Sequence, residues 1–237
     1  MATEKKPLYD IFTAVPGKYD LINCIFTWGL DRKWRLEAAR TCLKTHPLKI
    51  LDLCCGTGDL TIKLANLAAH DTTVIGLDYS QPMLEKAKEK ARHLQLKERL
   101  TFIQGDVNDL PFPDGDFDCI GISFAFRNLT YKNPLTQRYL AEILRVLKPG
   151  GRFVIVESSQ PPNPLIRKLD HLYLRTIVRW TGSLLSGNKP AYTYLSESTR
   201  RFYDVAELGD LLIKTGFSKF SVKRFLFGAT AIHTVVK

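Results

Sequence analysis

Eight consecutive residues, Asp52-Leu53-Cys54-Cys55-Gly56-Thr57-Gly58-Asp59, constrain this chain more than any other stretch. They follow the apolar run Ile50–Leu53 and lead into a helical pattern from Leu60. A strand, a glycine turn and a helix in that order place two residues without a Cβ beside the free N–H groups of a helix start, where backbone can approach a ligand closely. Asp78 lies twenty residues beyond Gly58, at the end of the next β-rich run, where a carboxylate can accept both hydroxyls of a ribose. A glycine pair alone is weak evidence; the glycine turn together with Asp78 points to a nucleoside ligand.

The surrounding pattern supports a parallel sheet. Ile50–Leu53, Thr73–Leu77, Leu100–Gln104, Phe117–Phe124 and Phe153–Val156 read as strands, with helices between them at 60–69, 82–95 and 134–147. Such alternation predicts an α/β, Rossmann-like fold with seven strands, mostly parallel, and helices on both faces. Ser80-Gln81-Pro82 is expected to open a helix and Lys148-Pro149-Gly150-Gly151 to close one. After Glu157 the pattern breaks into Pro161-Pro162-Asn163-Pro164, an amphipathic stretch to Trp180 and an expected loop from Gly182 to Tyr194, read together as an insertion. A helix at 204–215 and strands at 218–227 and 229–236 close the sheet. At 237 residues we expect one domain. Its parts would be an N-terminal helical segment over 1–46, a ligand-binding core over 47–160, the insertion over 161–203 and the closing elements over 204–237.

The ligand chemistry narrows further. A nicotinamide dinucleotide fingerprint calls for a third glycine at position 61, and this chain has Thr61 there. Asp52 suits a ligand carrying an ammonium group, and S-adenosyl-L-methionine has an amino-acid end where a dinucleotide has phosphate. Asp106 in Gln104-Gly105-Asp106-Val107 could accept from an adenine amino group, with Val107 packed on the ring. An aspartate at a strand end is often only a turn or cap residue, but three in succession fall on the carboxyl edge where open α/β sheets bind ligands.

Here the sequence resembles class I methyltransferases, and in particular the menaquinone and ubiquinone biosynthesis C-methyltransferases, over nearly its whole length. The resemblance rests on Phe12-Thr13-Ala14-Val15 through Lys18-Tyr19-Asp20-Leu21-Ile22-Asn23 and on Gly29-Leu30-Asp31-Arg32-Lys33-Trp34-Arg35. It continues through Leu110-Pro111-Phe112-Pro113-Asp114, Phe117-Asp118 and Ile122-Ser123-Phe124-Ala125-Phe126-Arg127-Asn128-Leu129-Thr130. Tyr192-Thr193-Tyr194-Leu195 with Ser198, and Gly228 with Ala231-Ile232-His233, are similar to the family's C-terminal signatures. Departures are Ala125 and Phe126, where the family has Gly and Leu, and Pro16-Gly17. The resemblance implies donor contacts at Thr57, Asp78, Asp106, Val107 and Ser123, beside the Asp52, Gly56 and Gly58 found from the turn itself.

It also implies C-methylation of a polyprenyl hydroquinone, a demethylmenaquinol or a ubiquinol precursor, whose ring carbon attacks the sulfonium methyl, with no metal required. Arg127 would stabilise the phenolate form of the acceptor, since a guanidinium stays protonated and cannot act as an ordinary base. The alternative for Arg127 is a structural pair with a carboxylate. Tyr19, Asn23, Asn128, Tyr192, Tyr194 and His233 are the candidate acceptor-pocket residues, with packing as their alternative.

Charge and hydropathy bear on partners. The net charge of +10 would suit nucleic acid, but it is spread along the chain without basic–aromatic interleaving, so none is expected. Five cysteines without a C-x-x-C pair predict reduced thiols and no zinc site. The absence of a long apolar run and of a secretory core at the start predicts a cytoplasmic protein. Between Pro161 and Arg201 seven Lys or Arg face two acids, and Leu165, Leu169, Leu172, Tyr173, Thr176 and Trp180 share one helical side. Two readings apply: an interfacial helix contacting the inner face of a membrane, or, preferred here, a helix whose stripe covers the site and faces the core. Rival functions are a methyltransferase of another small molecule, lipid or RNA, a dehydrogenase, and a catalytically silent assembly protein of a lipid pathway.

Overall fold

The computed structural model describes residues 24–96 and 99–237, except for the side chains of 185 and 186. Its core is one seven-stranded sheet. The elements are α1 (Leu30–Leu43), β1 (Lys49–Leu53), α2 (Asp59–Leu67), β2 (Thr73–Asp78), α3 (Gln81–His93), β3 (Leu100–Gln104), β4 (Phe117–Ser123), α4 (Phe126–Thr130), α5 (Thr136–Val146) and β5 (Leu147–Ser158). There follow α6 (Pro164–Tyr173), a π-helical turn (Leu174–Val178), α7 (Arg179–Ser186), α8 (Lys189–Arg200), α9 (Val205–Thr215), β6 (Ser218–Phe225), a short turn at Leu226–Gly228, and β7 (Thr230–Val236).

The strand order is β3-β2-β1-β4-β5-β7-β6, parallel from β3 to β5, with β7 antiparallel to both of its neighbours. Successive strand residues point to opposite faces, and the two cores show this directly. Leu51, Leu53, Ile75, Leu77, Ile120, Ile122, Phe153 and Ile155 pack with α5 and α9 on one face. Ile50, Val74, Cys119, Val154 and Val156 pack with α1 and α2 on the other. Both faces are covered, so the central strands are apolar on both sides, as a parallel sheet requires. The order reverses between β1 and β4, and at such a point the loops that follow the two strands diverge and open a crevice at their carboxyl ends.

Lys148–Gly151 follows the end of α5 at Val146, as expected, and it also lies within β5, where the register jumps between Phe117↔Leu147 and Cys119↔Arg152. Gly150 takes φ +76° in that irregularity. The segment expected as a loop from Gly182 to Tyr194 is instead the end of α7 and the start of α8, joined at Gly187 (φ 72°) and capped by the Asn188 side chain, which accepts from the Ala191 N–H. An added Cβ at Gly182 would lie 2.2 Å from the Tyr192 ring, so glycine here permits close helix packing rather than a loop. The amphipathic stripe also needs correction. Leu165, Leu169, Leu172 and Trp180 are 66, 59, 55 and 75% exposed and Thr176 is exposed, so most of the stripe faces outward rather than into the core. Tyr173 is the exception, half-buried against Val178, Ala191 and Tyr192 with its hydroxyl donating to the Phe26 carbonyl.

Candidate functional site

The carboxyl ends of β1, β2 and β3 carry the three aspartates picked out by the sequence. Asp52 is buried within β1, where both of its sheet partners are glycines, Gly76 and Gly121. Its Oδ2 accepts a 2.6 Å hydrogen bond from Thr61 Oγ1, and Oδ1 has no partner. Burial pushes its pKa up to about 7, moderated by the Thr61 bond and the positive charge of Arg35. Position 61 thus holds the Asp52 carboxylate where a dinucleotide site would hold a glycine. The space is recovered on the neighbouring strand: a Cβ at Gly76 would come within 2.9 Å of Thr61 Oγ1.

The two glycines of the turn have different jobs. Gly56 takes φ +56° with nothing within 4 Å of an added Cβ, and its N–H donates to Asp78 Oδ2 at 2.8 Å. It leaves open space over the loop. Gly58 takes φ +80°, and a Cβ there would meet Ala87 at 2.9 Å and Phe102 at 3.0 Å. Its role is to seat α2 against α3 and β3, a correction to the expectation that both glycines bare backbone to a ligand. Thr57 is buried between them, its hydroxyl taking a 2.9 Å hydrogen bond from Lys90, which also pairs with Asp59.

Asp78 ends β2, half-buried at the rim; Oδ1 accepts from the Ser80 N–H at 2.8 Å. Burial raises its pKa, opposed by those backbone donors. The Tyr79 N–H is a third backbone donor to this carboxylate, whose two oxygens offer about four lone-pair sites in all. Asp106 caps its own turn, accepting from the Asn108 N–H at 2.9 Å, and remains half-exposed. Val107 is only 5% exposed and packs in the core with β1 and β2. Its side chain is therefore not open for a ring to lie upon, contrary to expectation. Ser123 ends β4 with its hydroxyl accepting from Arg35 Nε at 3.0 Å.

A second cluster lies beyond β4 and β5. Arg127, in α4, is 4% exposed. Its Nη1 binds Glu157 Oε1 at 2.8 Å and its Nε binds Ser198 Oγ at 2.9 Å. Glu157 is fully buried at the end of β5 and also accepts from the N–H of Arg127 and of Ser158. Nε and Nη1 are engaged, and Nη2 has no hydrogen-bond partner among the described residues. The structural pairing weighed for Arg127 is present, and it holds the fork in one orientation. Tyr194 joins this cluster: its hydroxyl donates to Asn128 Oδ1 at 3.3 Å, its ring meets Tyr131 edge-on, and burial raises its pKa while Arg127 opposes that rise.

Two pocket candidates lie elsewhere. Tyr192 points the other way on α8, packed edge-on against Phe26 and over Gly182. His233 pairs with Ile155 in mid-strand, 1% exposed and stacked on Phe220, with neither ring nitrogen partnered. Burial lowers its pKa to about 4, so it stands as a neutral core imidazole rather than a rim base. Tyr19 and Asn23 lie outside the described residues.

Arg35 and Glu157 are site residues that no sequence motif singles out, and Ser198 stands in the sequence only within a signature. Arg35 and Ser123 are 88 residues apart, and Arg127 and Ser198 are 71 apart, so no local spacing announces them. The available signal was charge type within the quoted segments: an arginine after an aromatic in Trp34-Arg35, and a glutamate ending an otherwise apolar strand.

Comparison with known proteins agrees with this architecture. The ubiE/COQ5 methyltransferase family matches residues 1–237. A demethylmenaquinone methyltransferase from Lactiplantibacillus plantarum is 39% identical over 223 residues, covering 94% of this chain and 92% of the relative. Another from Staphylococcus saprophyticus is 35% identical over 230 residues, covering 97% and 96%. Among solved structures, a SAM dependent methyltransferase from Aquifex aeolicus aligns with TM-score 0.57 at 21% identity, covering 84% of this chain and 88% of that one. The Haemonchus contortus phosphoethanolamine N-methyltransferase 2, in complex with S-adenosyl-L-methionine, aligns with TM-score 0.59 at 16% identity, covering 85% and 52%. These two share the fold.

Proposed function

This chain belongs to the ubiE/COQ5 methyltransferase family, and on that premise we propose that it transfers a methyl group to a ring carbon of a demethylmenaquinol. It is an S-adenosylmethionine-dependent methyltransferase. The residues at the rim fit that donor: open space over Gly56, a rim carboxylate at Asp78, a second at Asp106 and an unpartnered carboxylate oxygen on Asp52. When bound, S-adenosylmethionine supplies an electrophilic methyl on a sulfonium.

The observation that carries the acceptor side is the buried fork of Arg127, clamped by Glu157 and Ser198 with Nη2 left over. A guanidinium fixed in that way stabilises an acceptor oxygen as phenolate, which raises electron density at the neighbouring ring carbon; it holds charge and does not itself take the proton. Glu157 fixes the direction of the fork. Asn128 and Tyr194, bonded to each other, stand beside the same cluster. The test is incubation with a reduced, demethylated naphthoquinone and labelled donor, followed by mass spectrometry. A product heavier by one methylene on a ring carbon is expected. Methylation on oxygen, or of a benzoquinol alone, would overturn the naphthoquinol reading.

The outward stripe on α6 and α7 supports a finer location. We place this face on an anionic membrane surface. Leu169, Trp180 and Leu184 project there with the exposed Lys168 and Arg175 on the same segment, and apolar side chains beside basic ones match an interfacial helix. The tip at Leu226-Phe227 is also exposed, and it abuts Pro161 and Pro162 at the entry to α6 through Gly228, which extends the apolar surface. Among the described residues no helix is long and apolar enough to cross a membrane. Co-sedimentation with vesicles containing anionic lipid is expected to fall when Lys168 and Arg175 are neutralised; undiminished binding would count against this placement.

A further inference from the structure

Arg35 is an unusual residue to find beneath a ligand rim. It comes from α1, outside the strand–turn–helix motif, and is 7% exposed. Its Nε donates to Ser123 Oγ at 3.0 Å, its Nη1 pairs with Asp31, and its guanidinium lies 5.2 Å from the Phe124 ring centre. Asp59, the first residue of α2, is 3.8 Å from the same Nη1. The cation therefore sits at the end of the Gly56–Asp59 loop that borders β4. The opposite end of that loop is tied to β2, through the Gly56 N–H on Asp78.

That placement sets a direction. A nucleoside held through its ribose by Asp78 lies over β2, toward Asp106 at the end of β3. Whatever extends from its 5′ position along the loop must then run toward β4, where Ser123 and Arg35 wait. The donor's far end is a zwitterionic amino acid. A guanidinium has five N–H donors, of which Ser123 and Asp31 occupy one nitrogen each; Nη2 has no partner among the described residues. The nearby buried carboxylate Asp52 has a lone oxygen, Oδ1, that can face an ammonium. A complementary pair of charges on one side of the loop matches the two charges of an amino acid, where a dinucleotide site would present only N–H groups to phosphate.

We propose that Arg35 binds the carboxylate of the donor's amino-acid end, and so makes α1 part of the donor site. This rests on the donor reading above and adds a recognition residue to it. Binding there would also tie α1 to the rim, because the same guanidinium anchors Asp31, Ser123 and the ligand.

The test compares two ligands that share a nucleoside and a sulfur and differ in the amino-acid end: S-adenosylhomocysteine and 5′-methylthioadenosine. Calorimetric titration of the full chain is expected to show Arg35→Met losing at least about tenfold in affinity for the first, the size of one charge-assisted contact, with under about twofold change for the second. Arg35→Lys should recover part of the loss, since the charge remains while the planar fork does not. The double variant Asp31→Asn/Arg35→Met avoids leaving the buried Asp31 charge uncompensated, with only the Thr27 hydroxyl on it, and serves if the single variant fails to fold. Equal losses for both ligands, or no loss for either, would overturn the assignment. Should the unmodified protein bind neither ligand, the donor reading itself falls first.

Discussion

The donor rim and the acceptor cluster lie on one sheet, yet they are assembled from different distances in the chain. At the donor rim, Asp52 is held by Thr61, Asp78 by Ser80 and Gly56, and Asp106 by Asn108, pairs separated by 9, 2, 22 and 2 residues. At the acceptor cluster, Arg127 is held by Glu157 and Ser198, and Asn128 by Tyr194, across 30, 71 and 66 residues. A rim whose aspartates are held by near neighbours, with Lys90 on Thr57 and Arg35 on Ser123 as its longer ties, depends mainly on turn geometry and survives changes in the insertion. A cluster built across the chain depends on α8 being seated, and that in turn depends on α7 and Gly182. Local perturbations should therefore separate the two functions.

The largest effect is expected where the acceptor cluster is altered without disturbing the donor rim. Arg127→Lys keeps the charge and loses the fork that Glu157 and Ser198 orient; turnover should fall by about 100-fold or more while donor affinity stays within about twofold. Steady-state kinetics with parallel donor titration checks this, and an equal loss of donor affinity would erase the division between the two regions.

A further effect separates packing from chemistry at His233. Its folded pKa, about 4, is below the ordinary value of 6.5 because burial disfavours the charged ring, helped by Arg224. The neutral ring's contribution is complete above pH 6.5 and is lost as pH falls from there through about 4, by as much as about 3 kcal/mol. His233→Leu should flatten that acid-side slope in urea melts taken at successive pH values. Catalysis near neutral pH should change little; a large loss of turnover with intact donor binding would return His233 to the acceptor pocket.

Gly58→Ala is expected to act on the donor rim through packing. The left-handed backbone and the approach of Ala87 and Phe102 should cost about 2 kcal/mol of stability, lowering the thermal midpoint by several degrees. Gly56→Ala meets no neighbour and carries only the backbone strain of φ +56°, so the stability loss should be smaller and the donor-affinity loss larger. Reversal of that order would break the distinction drawn between the two glycines.

The smallest effect on stability is expected on the outward stripe. Trp180→Ser and Leu184→Ser remove side chains that are 75 and 85% exposed, so stability should move by less than about 0.5 kcal/mol. Partition onto anionic vesicles should fall severalfold. Substantial destabilisation would mean that the stripe is covered by protein rather than by lipid.

The sequence disclosed the donor rim because that rim is local. Ile50–Leu53, the glycine turn and Asp78 fall within one strand–helix–strand unit, and hydrophobic alternation located the five parallel strands to within a few residues, apart from the longer N-terminal reach of β5. Lys148–Gly151 marks the end of α5 as expected, but its place inside β5 is not legible, because Pro-Gly-Gly ends helices as readily as it makes a bulge and only the pairing with β4 shows the second role. The Gly182–Tyr194 segment was misread as a loop for a similar reason: Gly182 is a packing glycine whose partner, Tyr192, belongs to the next helix. Periodicity identified the α6–α7 stripe but not the side it faces, since an apolar stripe reads the same whether its partner is protein or lipid. Arg35 and Glu157 were invisible as site residues because their partners are named only by the fold.

Donor placement turns most on Asp78 holding a ribose at the β2 rim. Calorimetric titration of S-adenosylhomocysteine into the protein and into Asp78→Ala tests it most directly. We expect one site per chain in the unmodified protein and at least about 100-fold weaker binding in the variant, which loses both the ribose acceptor and the anchor of the Gly56 N–H. Undiminished binding by Asp78→Ala, with its melting profile unchanged, would contradict the placement of the donor.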